Sequence, residues 1–105
     1  MSSEKYEVGS LSDFPEDSMK AVIIADNDVL IIHQGGMVYA MPNQCTHARF
    51  PLDDGELLEG KVKCQYHGAT YNLESGAASL PAIKKIKLFT AEIENETIFV
   101  TLQEN

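Results

Sequence analysis

Two short segments concentrate the donor atoms of this chain: Cys45-Thr46-His47 and Cys64-Gln65-Tyr66-His67-Gly68. They hold both cysteines and two of the three histidines. Each sets one thiolate donor close to one imidazole donor, so a single loop can present both. Thiolate selects soft or borderline transition metals, and neutral imidazole suits zinc, copper and iron. The chemistry on offer is metal or redox chemistry, carried by Cys45, His47, Cys64 and His67. A single tetrahedral zinc could take the same four donors, although structural zinc sites usually pair Cys with Cys and His with His. A Cys45–Cys64 disulfide is chemically open as well, but it leaves the matching histidines unexplained.

Donors of this kind need rigid supports, and the rest of the sequence reads as strands. Residues 20–25 are an apolar, β-branched run ended by the turn composition Asp26-Asn27-Asp28. Residues 29–34 and 37–41 flank Gly35-Gly36, the pattern of a hairpin with a tight turn. Leu57-Leu58 and residues 62–64, around Glu59-Gly60-Lys61, predict a second hairpin. Residues 70–72 leave the second donor segment as a strand and turn before Gly76. Residues 88–94 and 97–102 alternate around Asn95-Glu96, which predicts a last hairpin. Residues 11–17 hold the only candidate helical turn. Many short strands separated by turns predict an all-β fold, a sandwich or small barrel of antiparallel strands. The chain is expected to form one domain over 1–105, with the donor segments on two loops within about 42–82.

Composition narrows the function. A hydrophobic fraction of 44% and a charged fraction of 23% are ordinary for a globular protein. No apolar run approaches the roughly 18 residues of a membrane span. Residues 1–6 lack a basic segment followed by an apolar one, so a cytoplasmic location is expected, where cysteines favour metal or redox roles over disulfides. A net charge of −8 leaves no basic stripe for phosphates and excludes nucleic acid as a partner. The acid is uneven: from Arg49 to Lys87 there are six basic and five acidic residues, against two and eleven elsewhere.

Other residues invite simpler readings. His33 is expected at a strand end or core edge. Met37 and Met41 alternate in a strand and are expected to fill the core. Lys84, Lys85 and Lys87 suit a solvated strand edge. Asp53-Asp54-Gly55-Glu56 suits a solvated hairpin turn rather than a metal site.

The two donor segments resemble the loops of the Rieske iron–sulfur domain, in which two Cys hold one iron of a [2Fe–2S] cluster and two His the other. The resemblance continues through residues 45–52 and 64–72, to Gly76 and to Pro81, where the family has a turn glycine and a covering proline. It spans about residues 6–102. It implies one [2Fe–2S] cluster, with Cys45 and Cys64 on the inner iron and His47 and His67 on the outer. Neutral imidazoles in place of two thiolates raise the potential. Gly68 would permit close approach of the backbone to the cluster.

Departures from the pattern point to a subfamily. Respiratory and photosynthetic Rieske proteins carry two further loop cysteines; Phe50 and Tyr66 stand there and would cover the cluster by packing. High-potential members place a Ser and a Tyr hydroxyl against cluster sulfurs; Ala69 and Tyr71 occupy those positions. Arg49 replaces a small residue beside His47. With no membrane anchor and no catalytic iron domain, the resemblance implies a free-standing ferredoxin rather than an enzyme. Such a protein carries electrons from a flavin reductase to a mono- or dioxygenase. The alternatives are a Rieske-like small subunit of a complex such as assimilatory nitrite reductase and, less favoured, a zinc-binding interaction module.

Overall fold

β-Branched runs cut by two-residue turns fold here into stacked antiparallel ladders. The computed structural model describes residues 5–46, 50–65, 68–79 and 85–102. Their strands are β1 (Lys5–Ser10), β2 (Ser18–Ile24), β3 (Asn27–Gln34), β4 (Met37–Pro42), β5 (Glu56–Leu58), β6 (Lys61–Lys63), β7 (Thr70–Asn72), β8 (Thr90–Glu94) and β9 (Thr97–Thr101). Three three-stranded sheets result, ordered β1-β9-β8, β2-β3-β4 and β5-β6-β7. The all-β, antiparallel expectation holds.

The β2-β3-β4 sheet is the middle layer. Val29, Leu30, Ile31 and Ile32 of β3 are all fully buried. Alternation sends Val29 and Ile31 into one core with Val38, Ala40, Phe14, Ile98 and Val100. Leu30 and Ile32 enter a second core with Met41, Cys45, Leu52, Val62, Cys64, Tyr71 and Ile86. The first core joins the middle sheet to β1-β9-β8; the second joins it to the half that carries the cysteines. Each fully buried aliphatic side chain contributes about 1.5–3 kcal/mol.

The turns refine several expectations. Ala25 and Asp26 have φ of 48° and 68°, so the β2–β3 turn is two residues long and Asn27 and Asp28 already pair within β3. The Asn27 amide holds this tighter turn by donating to the Ile24 and Ala25 carbonyls at 3.2 and 3.0 Å. Gly35-Gly36 closes the β3–β4 hairpin and Asn95-Glu96 the last one. The helical turn is a single 3₁₀ turn over Leu11–Asp13.

β1 was not expected from the sequence. It pairs with β9, with a register shift between Glu7 and Gly9. Met41 fills the core, but Met37 is 57% exposed because it opens β4 at the hairpin end, beyond the packed layers. Lys85 and Lys87 are solvated but lie in an irregular segment, not on a strand edge, and Lys84 lies outside the described residues. That segment is tied to the middle sheet where the Phe89 N–H donates to the Ala40 carbonyl at 2.8 Å. Among the described residues no helix is long and apolar enough to cross a membrane.

Candidate metal centre

Two loops converge on the second core, and they are closed alike. The Cys45 N–H donates to the Phe50 carbonyl at 2.9 Å, and the Cys64 N–H donates to the Ala69 carbonyl at 2.7 Å. Each bond spans the same number of residues, so each loop starts on a cysteine whose amide is spent on closing it. Cys45 and Cys64 are 1% and 0% exposed, with Cα atoms 6.4 Å apart, and the structure joins them as a disulfide. Their sulfurs face one point in an apolar chamber that includes Leu52, Val62, Ala69, Leu73 and Ile86. His47, Arg49, Tyr66, His67 and Pro81 lie outside the described residues.

The remaining expected residues surround this point. Gly68 has φ of 73°, a conformation that costs other residues and that lets the second loop turn back to Ala69. Gly76 has φ of 78°, and a Cβ there would overlap the Ile86 carbonyl oxygen. Phe50 is partly buried against the second core. Ala69 is fully buried and offers no hydroxyl. Tyr71 is fully buried, and its hydroxyl points to the first loop. The Thr46 N–H donates to Tyr71 Oη at 2.8 Å, and Thr46 Oγ1 lies 3.0 Å from the same oxygen.

Polar ties that sequence reasoning missed hold the loops. Asn43 is a buried polar residue just before Cys45. Its backbone N–H donates to the Asp28 carbonyl at 3.0 Å, and its side-chain amide donates to Asp28 Oδ2 at 3.3 Å and Asp53 Oδ1 at 3.0 Å. The Asp53 N–H returns a bond to Asn43 Oδ1 at 2.9 Å. Both ends of the first loop are thus pinned together. Asp53 and Asp54 belong to a 3₁₀ turn over Leu52–Asp54 that serves this latch, so the expected hairpin turn is replaced by a loop closure. On the second loop's exit, the Thr70 N–H donates to Ser79 Oγ at 2.8 Å. The available signal was Asn43 itself, a turn-forming residue at a strand end.

His33 is structural, as expected. Its Nδ1 lies 2.6 Å from the Phe14 carbonyl oxygen and its Nε2 3.3 Å from Glu16 Oε1. Beside the first loop, Lys85, Ile86 and Lys87 with Pro42, Gln44, Cys45 and Thr46 line a recess of about 340 Å³. The exposed Lys85 and Lys87 give this rim positive charge on an acidic protein.

A model of the Rieske [2Fe–2S] domain matches residues 4–90, both cysteine loops included. The chain belongs to this family. As a Rieske domain it takes one [2Fe–2S] cluster. Human apoptosis-inducing factor 3 is 30% identical over 91 residues, 86% of this chain, but the chain spans only 15% of that relative's length. The ferredoxin component of naphthalene 1,2-dioxygenase/salicylate 5-hydroxylase systems from a Ralstonia species is 26% identical over 104 residues, 98% of this chain and 100% of the relative. The solved ferredoxin of carbazole 1,9a-dioxygenase from Nocardioides aromaticivorans IC177 shares the fold, with a TM-score of 0.88 at 24% identity over 94% of this chain and 98% of that one.

A disulfide and a pair of iron thiolates use the same sulfurs and exclude one another. Two soft donors aimed at one point inside an apolar chamber fit the inner-iron half of a Rieske cluster. A bound metal holds coordinating thiols deprotonated.

Proposed function

We propose that this chain is a Rieske-type ferredoxin, a one-electron carrier and not a catalyst, with Cys45 and Cys64 on the inner iron and His47 and His67 on the outer. The observation that carries the reading is the pair of alike loops, each begun by a buried cysteine and closed by that cysteine's own amide. When bound, the cluster supplies a one-electron couple whose potential depends on hydrogen bonds to the sulfurs, charge and exposure.

The chain's residues provide the setting. Leu52, Val62, Leu73 and Ile86 exclude water from the inner side. Asn43 and Tyr71 fix the first loop, and Gly68 shapes the second. Ala69 cannot donate a hydroxyl to a sulfur, so the midpoint is expected in the lower part of the roughly −150 to +300 mV Rieske range. Ala69→Ser should raise it in a redox titration; an unchanged value would count against this account.

Relatives that act as ferredoxin components of oxygenase systems support an oxygenase as electron acceptor, and a flavin reductase is the donor we assign. Lys85 and Lys87 would face an acidic partner surface. The whole chain, 1–105, would act as one unit in the cytoplasm. Purified protein made under iron-replete conditions should contain about two iron and two labile sulfide per chain, as the cluster type requires. It should show a visible spectrum bleached by dithionite, with an EPR signal in the reduced state. Stoichiometric zinc without labile sulfide would overturn the assignment.

A further inference from the structure

Lys63 ends β6 and directly precedes Cys64. In register it stands opposite Glu56 of β5, the kind of cross-strand neighbour with which an ammonium ordinarily pairs. No ion pair forms there: among the described residues the ion-paired bases are Lys5 and His33. The half-buried Lys63 stem lies along the second loop instead, with Cε 3.5 Å from where a side chain on Gly68 would begin. Gly68 carries no side chain, so the bare backbone of the loop is the seat for the stem. Lys63 also lines a recess of about 270 Å³ with Asp54, Glu56 and Cys64. Resting on the function proposed above, we infer that Lys63 is a fixed positive charge held beside the second loop, where it raises the midpoint potential of the redox centre.

Reduction adds one negative charge to the centre, so a nearby cation stabilises the reduced state more than the oxidised one. The surroundings give that cation something to offset. The chain carries a net charge of −8, and the recess beside Cys64 holds the carboxylates of Asp54 and Glu56. Lys63 is the cation that lines this recess, and it belongs to the residue bonded to Cys64. A charge acts over distance and needs no hydrogen bond to a sulfur. An ammonium engaged by Glu56 would have its field largely cancelled; one laid on the loop keeps it. Lys63 is thus a potential-setting residue that works through its field.

The test is the midpoint potential of cluster-loaded protein, read by EPR-monitored redox titration at low salt. Lys63→Met keeps an unbranched stem for Gly68 and removes the charge, so it should lower the midpoint. Lys63→Gln should lower it too, and supplies the reading if Lys63→Met fails to load. Lys63→Arg, which restores the charge, should hold the wild-type value, a rescue that packing of the stem alone would not explain. Lys20→Met removes the same charge beside Phe14 in the other core and should shift the midpoint less. The drop in Lys63→Met should narrow as salt rises, because the screening length falls from about 10 Å at 0.1 M to about 3 Å at 1 M. A wild-type midpoint in both uncharged variants, a drop no larger than that of Lys20→Met, or an equal drop in Lys63→Arg would each overturn the inference. Wild-type protein lacking iron and labile sulfide would overturn the proposed function and this inference together, and metal and sulfide analysis separates that case from an unmoved potential.

Discussion

The two faces of the middle sheet are equally apolar but are finished in different ways. On one side, Val29, Ile31, Val38 and Ala40 meet Phe14, Ile98 and Val100, and the core is closed by the long β1-β9-β8 ladder. On the other, Leu30, Ile32 and Met41 meet Cys45, Cys64, Tyr71 and Ile86, and the closing strands β5, β6 and β7 have three residues each. There the work passes to single side chains. Asn43 latches the first loop, and Gln34 bridges to the β5–β6 hairpin by donating to the Leu58 carbonyl at 2.9 Å and accepting the Gly60 N–H at 2.7 Å. Asn72 organises the turn after β7 by accepting the Glu74 and Ser75 amides. One half is stabilised by pattern, the other by specific bonds and by the cluster it holds. Substitutions in the first should alter stability alone, and those in the second should alter cluster retention and potential.

Cys64→Ser gives the largest separation. It should abolish labile sulfide and the reduced-state EPR signal, while amides of β8 and β9 keep their protection in hydrogen exchange. Full cluster content in this variant would break the assignment; loss of protection across both halves would show that they do not differ as described. Ile31→Ala comes next, on the opposite face. Truncating a fully buried aliphatic costs about 2–5 kcal/mol, and each kcal/mol lowers Tm by about 4–8 °C in a domain of this size. The midpoint potential should stay at the wild-type value, and a clear shift would deny that the two cores are separable.

Asn43→Ala should be milder and should move both readouts. It strands acceptors and a donor at the first loop, a loss of about 1–3 kcal/mol. The rate of cluster loss to a chelator should rise; an unchanged rate would mean the latch serves the fold alone. The smallest effect belongs to Lys5→Met on β1. The Lys5 ammonium donates to Glu94 Oε2 at 2.6 Å and lies 3.7 Å from Glu92 Oε1. The hydrogen bond to Glu94 raises its pKa above 10.5. A raised amine pKa means that the contribution is fully present below 10.5 and fades as pH climbs beyond it. Any Tm difference between Lys5→Met and wild type should therefore be small near neutrality, shrink with salt and vanish at strongly alkaline pH. A difference that persists there would assign it to the packing of Lys5 over the Phe99 ring.

Legibility in the sequence follows the same division. The paired Cys and His segments showed the family because metal ligation demands fixed residue types at fixed spacing. The hairpins around Gly35-Gly36, Glu59-Gly60 and Asn95-Glu96 were visible because turns impose positive φ on few residues. β1 was not, because Tyr6 and Val8 are its main apolar residues and its pairing partner lies at the other end of the chain. Met37 misled because alternation reports which face a residue takes, not whether the neighbouring layer extends that far. Asn43 and Thr46 were hidden for another reason. Their roles come from contacts with Asp28, Asp53 and Tyr71, which local sequence does not encode.

β3 carries a consequence for folding. In most half-buried strands a one-residue slip is punished because it turns apolar side chains out to water. Here four consecutive residues, Val29 to Ile32, are apolar and enclosed on both sides, so a slipped β3 would still bury oil against oil. Hydrophobicity alone does not police its alignment. That falls to the two-residue turns at its ends, where Ala25-Asp26 and Gly35-Gly36 count the register, and to His33 and Gln34, whose polar ends meet their partners in one alignment only. Lengthening either turn by one residue should thus yield a protein that still collapses but presents its cysteines out of step.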